Sequence, residues 1–182
     1  MNYQGELITC GDVNAMLSSE ELDSSRCLAA RSRAGGCFFL GSTPRDNQNI
    51  RLNGNIHITC AILKLVAAST AGAELGALFL NAQEARILRL ILLEIDHPQP
   101  RTPVYVDSIT AVGIVKHTIK CQRSRAMEMR YFWLLDQKNN RYFKVYYQPG
   151  DESMGAYPNE AQKGHIHNRG RPFMMCRWLL LQ

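Results

Sequence analysis

Three carboxylates stand where they could together perform phosphodiester chemistry. Asp12 closes a run, Glu6–Cys10, that reads as a short strand ending at Gly11-Asp12; Asp107 closes a second such run, Val104–Val106; Glu74 falls in the first turns of a long helical stretch. Acids at the C-terminal ends of strands lie at the sheet edge where open α/β folds place their ligands. Converging carboxylates repel one another, so such a cluster is stable chiefly around hard divalent cations such as Mg²⁺ or Mn²⁺. Two such ions about 4 Å apart activate a water and stabilise the leaving oxygen in phosphodiester hydrolysis. Each acid also has a purely structural reading. Asp107 before Ser108 suits a helix N-cap, Glu74 complements a helix dipole, and Asp12 suits a turn.

The elements that must position these acids can be read from periodicity and punctuation. After the first strand, residues 13–30 read as a polar loop. Arg31 to Gly41 runs through Gly35-Gly36 into an aromatic strand, a turn-rich stretch follows, and Ile56 to Val66 reads as a third strand. Three strands with no helix between them predict an antiparallel meander, because parallel pairing needs a longer crossover. A helix is expected from about Thr70 to Ile95, capped by Ser69 or Thr70, with Leu75, Leu78, Phe79, Ala82, Ala85 and Leu88 on its apolar stripe. Apolar residues cover more than one face of its second half, which predicts either burial on both sides there or an earlier end to the helix.

His97 to Pro103, with three prolines, ends that helix and leads into the strand before Asp107. Ser108 to His117 reads as a short helix and Arg123 to Gln137 as a third, with Tyr131, Phe132 and Trp133 as core residues. After the Asn139-Asn140 turn, Arg141 to Tyr147 is a clear strand; Ser153 to Lys163 permits a weak helix before a basic, apolar tail. The order predicts an α/β fold with a mixed sheet and helices packed on it.

The chain has 182 residues, 46% of them hydrophobic, which suits one folded domain with a real core. No run of eighteen apolar residues and no secretory-signal pattern is present, so an intracellular protein, cytoplasmic or nuclear, with no membrane partner is expected. Six cysteines without paired spacing point to reduced thiols, and His165, His167 and Cys176 make a weak zinc pattern. The net charge of +5 is concentrated around Arg26–Arg33 and Lys116–Arg130. That makes a polyanion the natural partner, with Lys116, Lys120, Arg123 and Arg125 as candidate phosphate contacts; the alternative is a solvated helix face.

Four blocks occur in an order and spacing that resemble the ribonuclease H domain of copia-type retrotransposon polyproteins. They are Arg31–Gly36, Ala73–Leu78, Val104–Ala111 and Arg123–Trp133. The resemblance spans roughly Leu7 to His165, giving a domain over 1–165 and an unmatched tail over 166–182. It implies a ribonuclease H-like fold, a five-stranded mixed sheet whose first three strands are antiparallel, and hydrolysis of the RNA strand of an RNA–DNA hybrid with two Mg²⁺ (or Mn²⁺) ions. An upstream reverse transcriptase domain is an implied partner. By position, Asp12, Glu74 and Asp107 correspond to the first three acids of the family's four-carboxylate site, with Asp23 as the alternative to Asp12. The fourth acid falls at Ala156. Losing one metal ligand costs on the order of 3–5 kcal/mol, roughly a hundred- to several-thousand-fold in rate, so impaired catalysis is expected unless Glu160 substitutes. The alternative is a catalytically inactive remnant that keeps the fold and binds nucleic acid.

Overall fold

A computed structural model describes residues 6–14, 32–41, 54–64, 69–118, 125–150, 153–159 and 164–175; the side chains of 12–14, 125–128 and 169 are outside the description. Five strands, β1 (Glu6–Asn14), β2 (Arg33–Gly41), β3 (Asn55–Ile62), β4 (Thr102–Val106) and β5 (Phe143–Tyr147), form one sheet in the order β3-β2-β1-β4-β5. β1, β2 and β3 pair antiparallel, as the meander requires, whereas β1–β4 and β4–β5 are parallel. The mixed five-stranded sheet expected from the sequence is therefore the fold. β1 differs from expectation: it continues through Asp12 to Asn14, because Asp12, Val13 and Asn14 pair with Gly35, Ala34 and Arg33. Asp12 lies within a strand rather than closing one.

The helices are α1 (Thr70–Glu94), α2 (Ile109–Val115), α3 (Arg125–Asn139) and α4 (Gly164–Met174). Ser69 caps α1, accepting from the Gly72 amide. On the α1 side of the sheet, Leu7, Phe38, Leu75, Leu78, Val104 and Leu134 form the main core. Ile8, Cys10, Cys37 and Phe39 project from the other face and form a smaller core with Met154 and Met174. This is the alternation of a strand buried on both sides.

Three helices end alike without a glycine. Asp96, His117 and Arg141 adopt φ of 57°, 64° and 60°. In each case the following amide reaches back a full turn: His97 to Leu92, Thr118 to Gly113 and Tyr142 to Gln137. These are Schellman closures, which satisfy the last carbonyls at the cost of a left-handed non-glycine residue.

Several sequence readings are corrected. The second half of α1 is not buried on both sides: Ile87, Leu90, Ile91 and Leu93 are exposed, because neither the sheet nor α3 covers that face. Phe132 is also exposed, while Tyr131 and Trp133 pack on the core; one turn of α3 cannot bury three consecutive residues. The described part of 153–163 forms a 3-10 turn, Met154–Ala156, and the regular helix, α4, starts after it at Gly164. α4 packs back on the domain through Met174 and through Tyr157, which meets His167. Glu160 and Asp23 lie outside the described residues.

Candidate functional site

The site lies where β1 and β4 run parallel. Register sets Gly11 opposite Val106, so the chain leaves β4 at Asp107 level with Asp12 on β1. Glu74, one turn into α1, completes a pocket whose walls include Gly11, Glu74, Val106, Asp107 and Ser108, with Ala77 and Leu78 behind. Two of the three expected carboxylates, Glu74 and Asp107, are thus brought together from elements 33 residues apart in sequence by the docking of α1 on the sheet. The β1 residue that lines the pocket is Gly11; Asp12 follows it in the strand, and its side chain lies outside the description.

Ser108 links the two acids and went unread as a site residue. Its hydroxyl donates to the Glu74 carboxylate and accepts the Ala111 amide at 3.0 Å as the N-cap of α2. The cap of α2 is therefore Ser108 rather than Asp107. The Asp-Ser pair before a short apolar run was the available signal.

Asn81 sets how closely α1 approaches the sheet. It is 1% exposed, and its amide donates to the Gly35 carbonyl at 2.8 Å while its carbonyl accepts from Thr59 Oγ1 at 3.1 Å. A Cβ on either Gly11 or Gly36, which face each other across β1 and β2, would overlap the Asn81 side chain. Helix and sheet thus meet glycine backbone against amide, two turns along α1 from Glu74. Only the polar residue within the buried stripe, between Leu78 and Ala82, hinted at this.

A divalent ion is compatible with the donors present. Glu74 and Asp107 supply hard oxygens, and Mg²⁺ is commonly held by one or two carboxylates together with water and substrate phosphate. Among the described residues, which exclude the Asp12 side chain, no group of three His, Cys, Asp or Glu side chains is placed to hold a metal.

The candidate phosphate contacts are only partly described. Lys116 is exposed at the end of α2; Arg125 opens α3 with its side chain outside the description, and Lys120 and Arg123 lie outside the described residues. Ala156 sits in the 3-10 turn on the sheet face opposite α1, where Met154 O accepts from the Cys37 thiol. Burial pushes the Cys10 and Cys37 thiols up to about 12, and Cys60 is an exposed free thiol. Among the described residues no helix is long and apolar enough to cross a membrane.

No protein-family model matches the chain, and no curated protein matches it. Solved structures do. LC11-RNase H1, isolated from compost by a metagenomic approach, is 14% identical over 85% of this chain and 91% of its own, with a TM-score of 0.53. The same protein in complex with an RNA/DNA hybrid gives 13% identity, 82% and 89% coverage, and a TM-score of 0.52. The N-terminal RNase H domain of rv2228c from Mycobacterium tuberculosis, solved as a fusion with maltose binding protein, is 11% identical over 91% of this chain and 93% of that one, with a TM-score of 0.50. At these identities the likeness assigns the fold, which is ribonuclease H-like.

Proposed function

We propose that this chain is a ribonuclease H-type domain of copia-like retroelement descent that engages RNA–DNA hybrids and hydrolyses their RNA strand weakly, with divalent metal. The observation that carries this reading is the meeting of Glu74 and Asp107 in one pocket where β1 and β4 lie side by side, in a ribonuclease H-like sheet. Glu74 and Asp107 would hold Mg²⁺ or Mn²⁺, and Asp12 is proposed as the third acid. A bound ion supplies Lewis-acid activation of water and charge neutralisation at the phosphate. The chain itself fixes Glu74 through Ser108, holds Asp107 at the mouth of β4, and excludes water behind the site with Ala77 and Leu78. Lys116, Lys120, Arg123 and Arg125 are proposed to meet the hybrid backbone, and an upstream reverse transcriptase domain is a proposed neighbour. Ala156, at the fourth acidic position, is the proposed cause of weak turnover.

The test is cleavage of a labelled RNA–DNA hybrid with Mg²⁺ and then Mn²⁺ by wild type, Asp107→Asn and Ala156→Asp. Slow cleavage that Asp107→Asn abolishes and Ala156→Asp raises is expected. Cleavage indifferent to Asp107→Asn would overturn the reading. A second reading, hybrid binding without hydrolysis, is favoured by Ala156 at the fourth acidic position. It predicts salt-sensitive binding and no product with any of the three proteins.

A further inference from the structure

At the far end of β4 from Asp107 cations gather, and the carboxylate in the last turn of α3, Asp136, accepts from the neutral amides of Gln137 and Asn140. The Arg86 guanidinium lies 3.9 Å above the centre of the Tyr142 ring, and that of Arg89 is 5.7 Å from the same ring. Arg89 donates to Gln99 O at 2.8 Å, Thr102 Oγ1 at 2.7 Å and Pro100 O. Arg101 donates to Lys138 O at 3.2 Å, and Lys138 Nζ to Val115 O at 2.9 Å. Arg141 is exposed beside Tyr142. Every one of these cations' acceptors is neutral. Among the described residues, no Asp or Glu forms an ion pair with Arg86, Arg89, Arg101, Lys138 or Arg141.

Two guanidinium groups sharing one ring repel each other, and burial together with Arg86 lowers the Arg89 pKa. Arg89 and Arg101 are committed to backbone carbonyls, so their charge is fixed in place while Arg86 keeps its donor edges for another partner. A planar guanidinium stacked on an aromatic ring is pre-organised for two parallel hydrogen bonds to one anion. Neutral carbonyls satisfy hydrogen bonds but leave the net charge. A bound anion would remove it.

We propose that Arg86, stacked on Tyr142 beside Arg89 and with exposed Arg141 next to Tyr142 in sequence, forms a binding site for a phosphate group. It stands twelve residues along α1 from Glu74, about 18 Å at helical rise, so it is separate from the carboxylate pocket. The phosphate comes either from a polynucleotide backbone or from free phosphate.

The experiment uses the full chain, as wild type, Arg86→Gln, Arg141→Gln and, as a control cation outside the cluster, Lys144→Gln. Thermal unfolding is compared in phosphate and in chloride at equal ionic strength, and binding of a labelled duplex is titrated at several salt concentrations. Phosphate should raise the midpoint of wild type and Lys144→Gln above that in chloride, and Arg86→Gln should lose most of the difference. Should Arg86→Gln fold poorly, exposed Arg141→Gln carries the test with a smaller loss. If the log–log salt slope for the duplex also falls by about one in Arg86→Gln, the site takes a backbone phosphate. A lost thermal response with an unchanged slope assigns it to free phosphate. Equal midpoints in phosphate and chloride for wild type, or an Arg86→Gln response equal to wild type, would overturn the proposal.

Discussion

The amide of Asn81 and the glycines beneath it make a pairwise prediction that stability measurements can decide. A methyl group added at Gly36 would overlap Asn81 Oδ1 and stand 2.7 Å from Thr59 Oγ1. Asn81 cannot rotate away freely, because Gly35 O and Thr59 Oγ1 hold both ends of its amide. Overpacking of a tight core costs about 1–3 kcal/mol, and the overlap places Gly36→Ala near 3. Asn81→Ala removes two buried hydrogen bonds and leaves the Gly35 carbonyl without its amide, a loss of about 2–3 kcal/mol. The double variant lacks the Asn81 atoms that the new methyl group would strike, and Thr59 Oγ1, no longer held by the Asn81 carbonyl, can turn away from it. It should therefore lose only about 3 kcal/mol, against a sum of about 5–6, a coupling of about 2–3 kcal/mol. Urea unfolding followed by far-UV circular dichroism measures this from the transition midpoints at constant slope. For a chain of this length, the single-variant losses correspond to melting shifts of about 2–4 °C per kcal/mol. If the two losses added to within about 0.5 kcal/mol, the close approach of α1 to the glycine pair would not be what holds the helix.

Ser108→Ala should lower stability by about 1 kcal/mol through the lost cap, and should reduce hybrid cleavage in parallel by releasing Glu74; Ser108→Thr should restore both. Asp96→Gly relieves a left-handed residue at the end of α1 and should raise stability by about 1 kcal/mol in thermal unfolding. Cys10 and Cys37 hold their protons to about 12 when folded but ionise near 9 when unfolded, so the unfolded chain binds fewer protons in that window. Their contribution to stability should be constant below about pH 9 and fall between about 9 and 12, a decline that Cys10→Ala and Cys37→Ala would flatten. In a thiol-labelling time course at pH 8, Cys60 should react at once while Cys10 and Cys37 wait for unfolding.

Much of the architecture was legible because it is local. The lack of a helical pattern between the first three strands pointed to the meander, Ser69 and Pro98 bounded α1, and the Asn139-Asn140 turn separated α3 from β5. The pattern also singled out Glu74 and Asp107, since helix starts and strand ends are visible from periodicity. What it could not supply was register. Pairing with β2 carried β1 past Asp12 to Asn14 and set Gly11 opposite Val106 at the pocket, and a slip of one position would have exchanged the faces of the strand. Likewise, Ser108 reaching Glu74, Asn81 lying against Gly11 and Gly36, and Arg86 stacking on Tyr142 join residues 34, 70, 45 and 56 positions apart. Apolar content misled at the end of α1 for the same reason: periodicity shows which residues are apolar, but only packing against the sheet and α3 determines which of them are covered. The sequence alone determined most of the elements and their order. The tertiary structure decided which atoms meet, because that depends on strand register and helix docking, which no local pattern encodes.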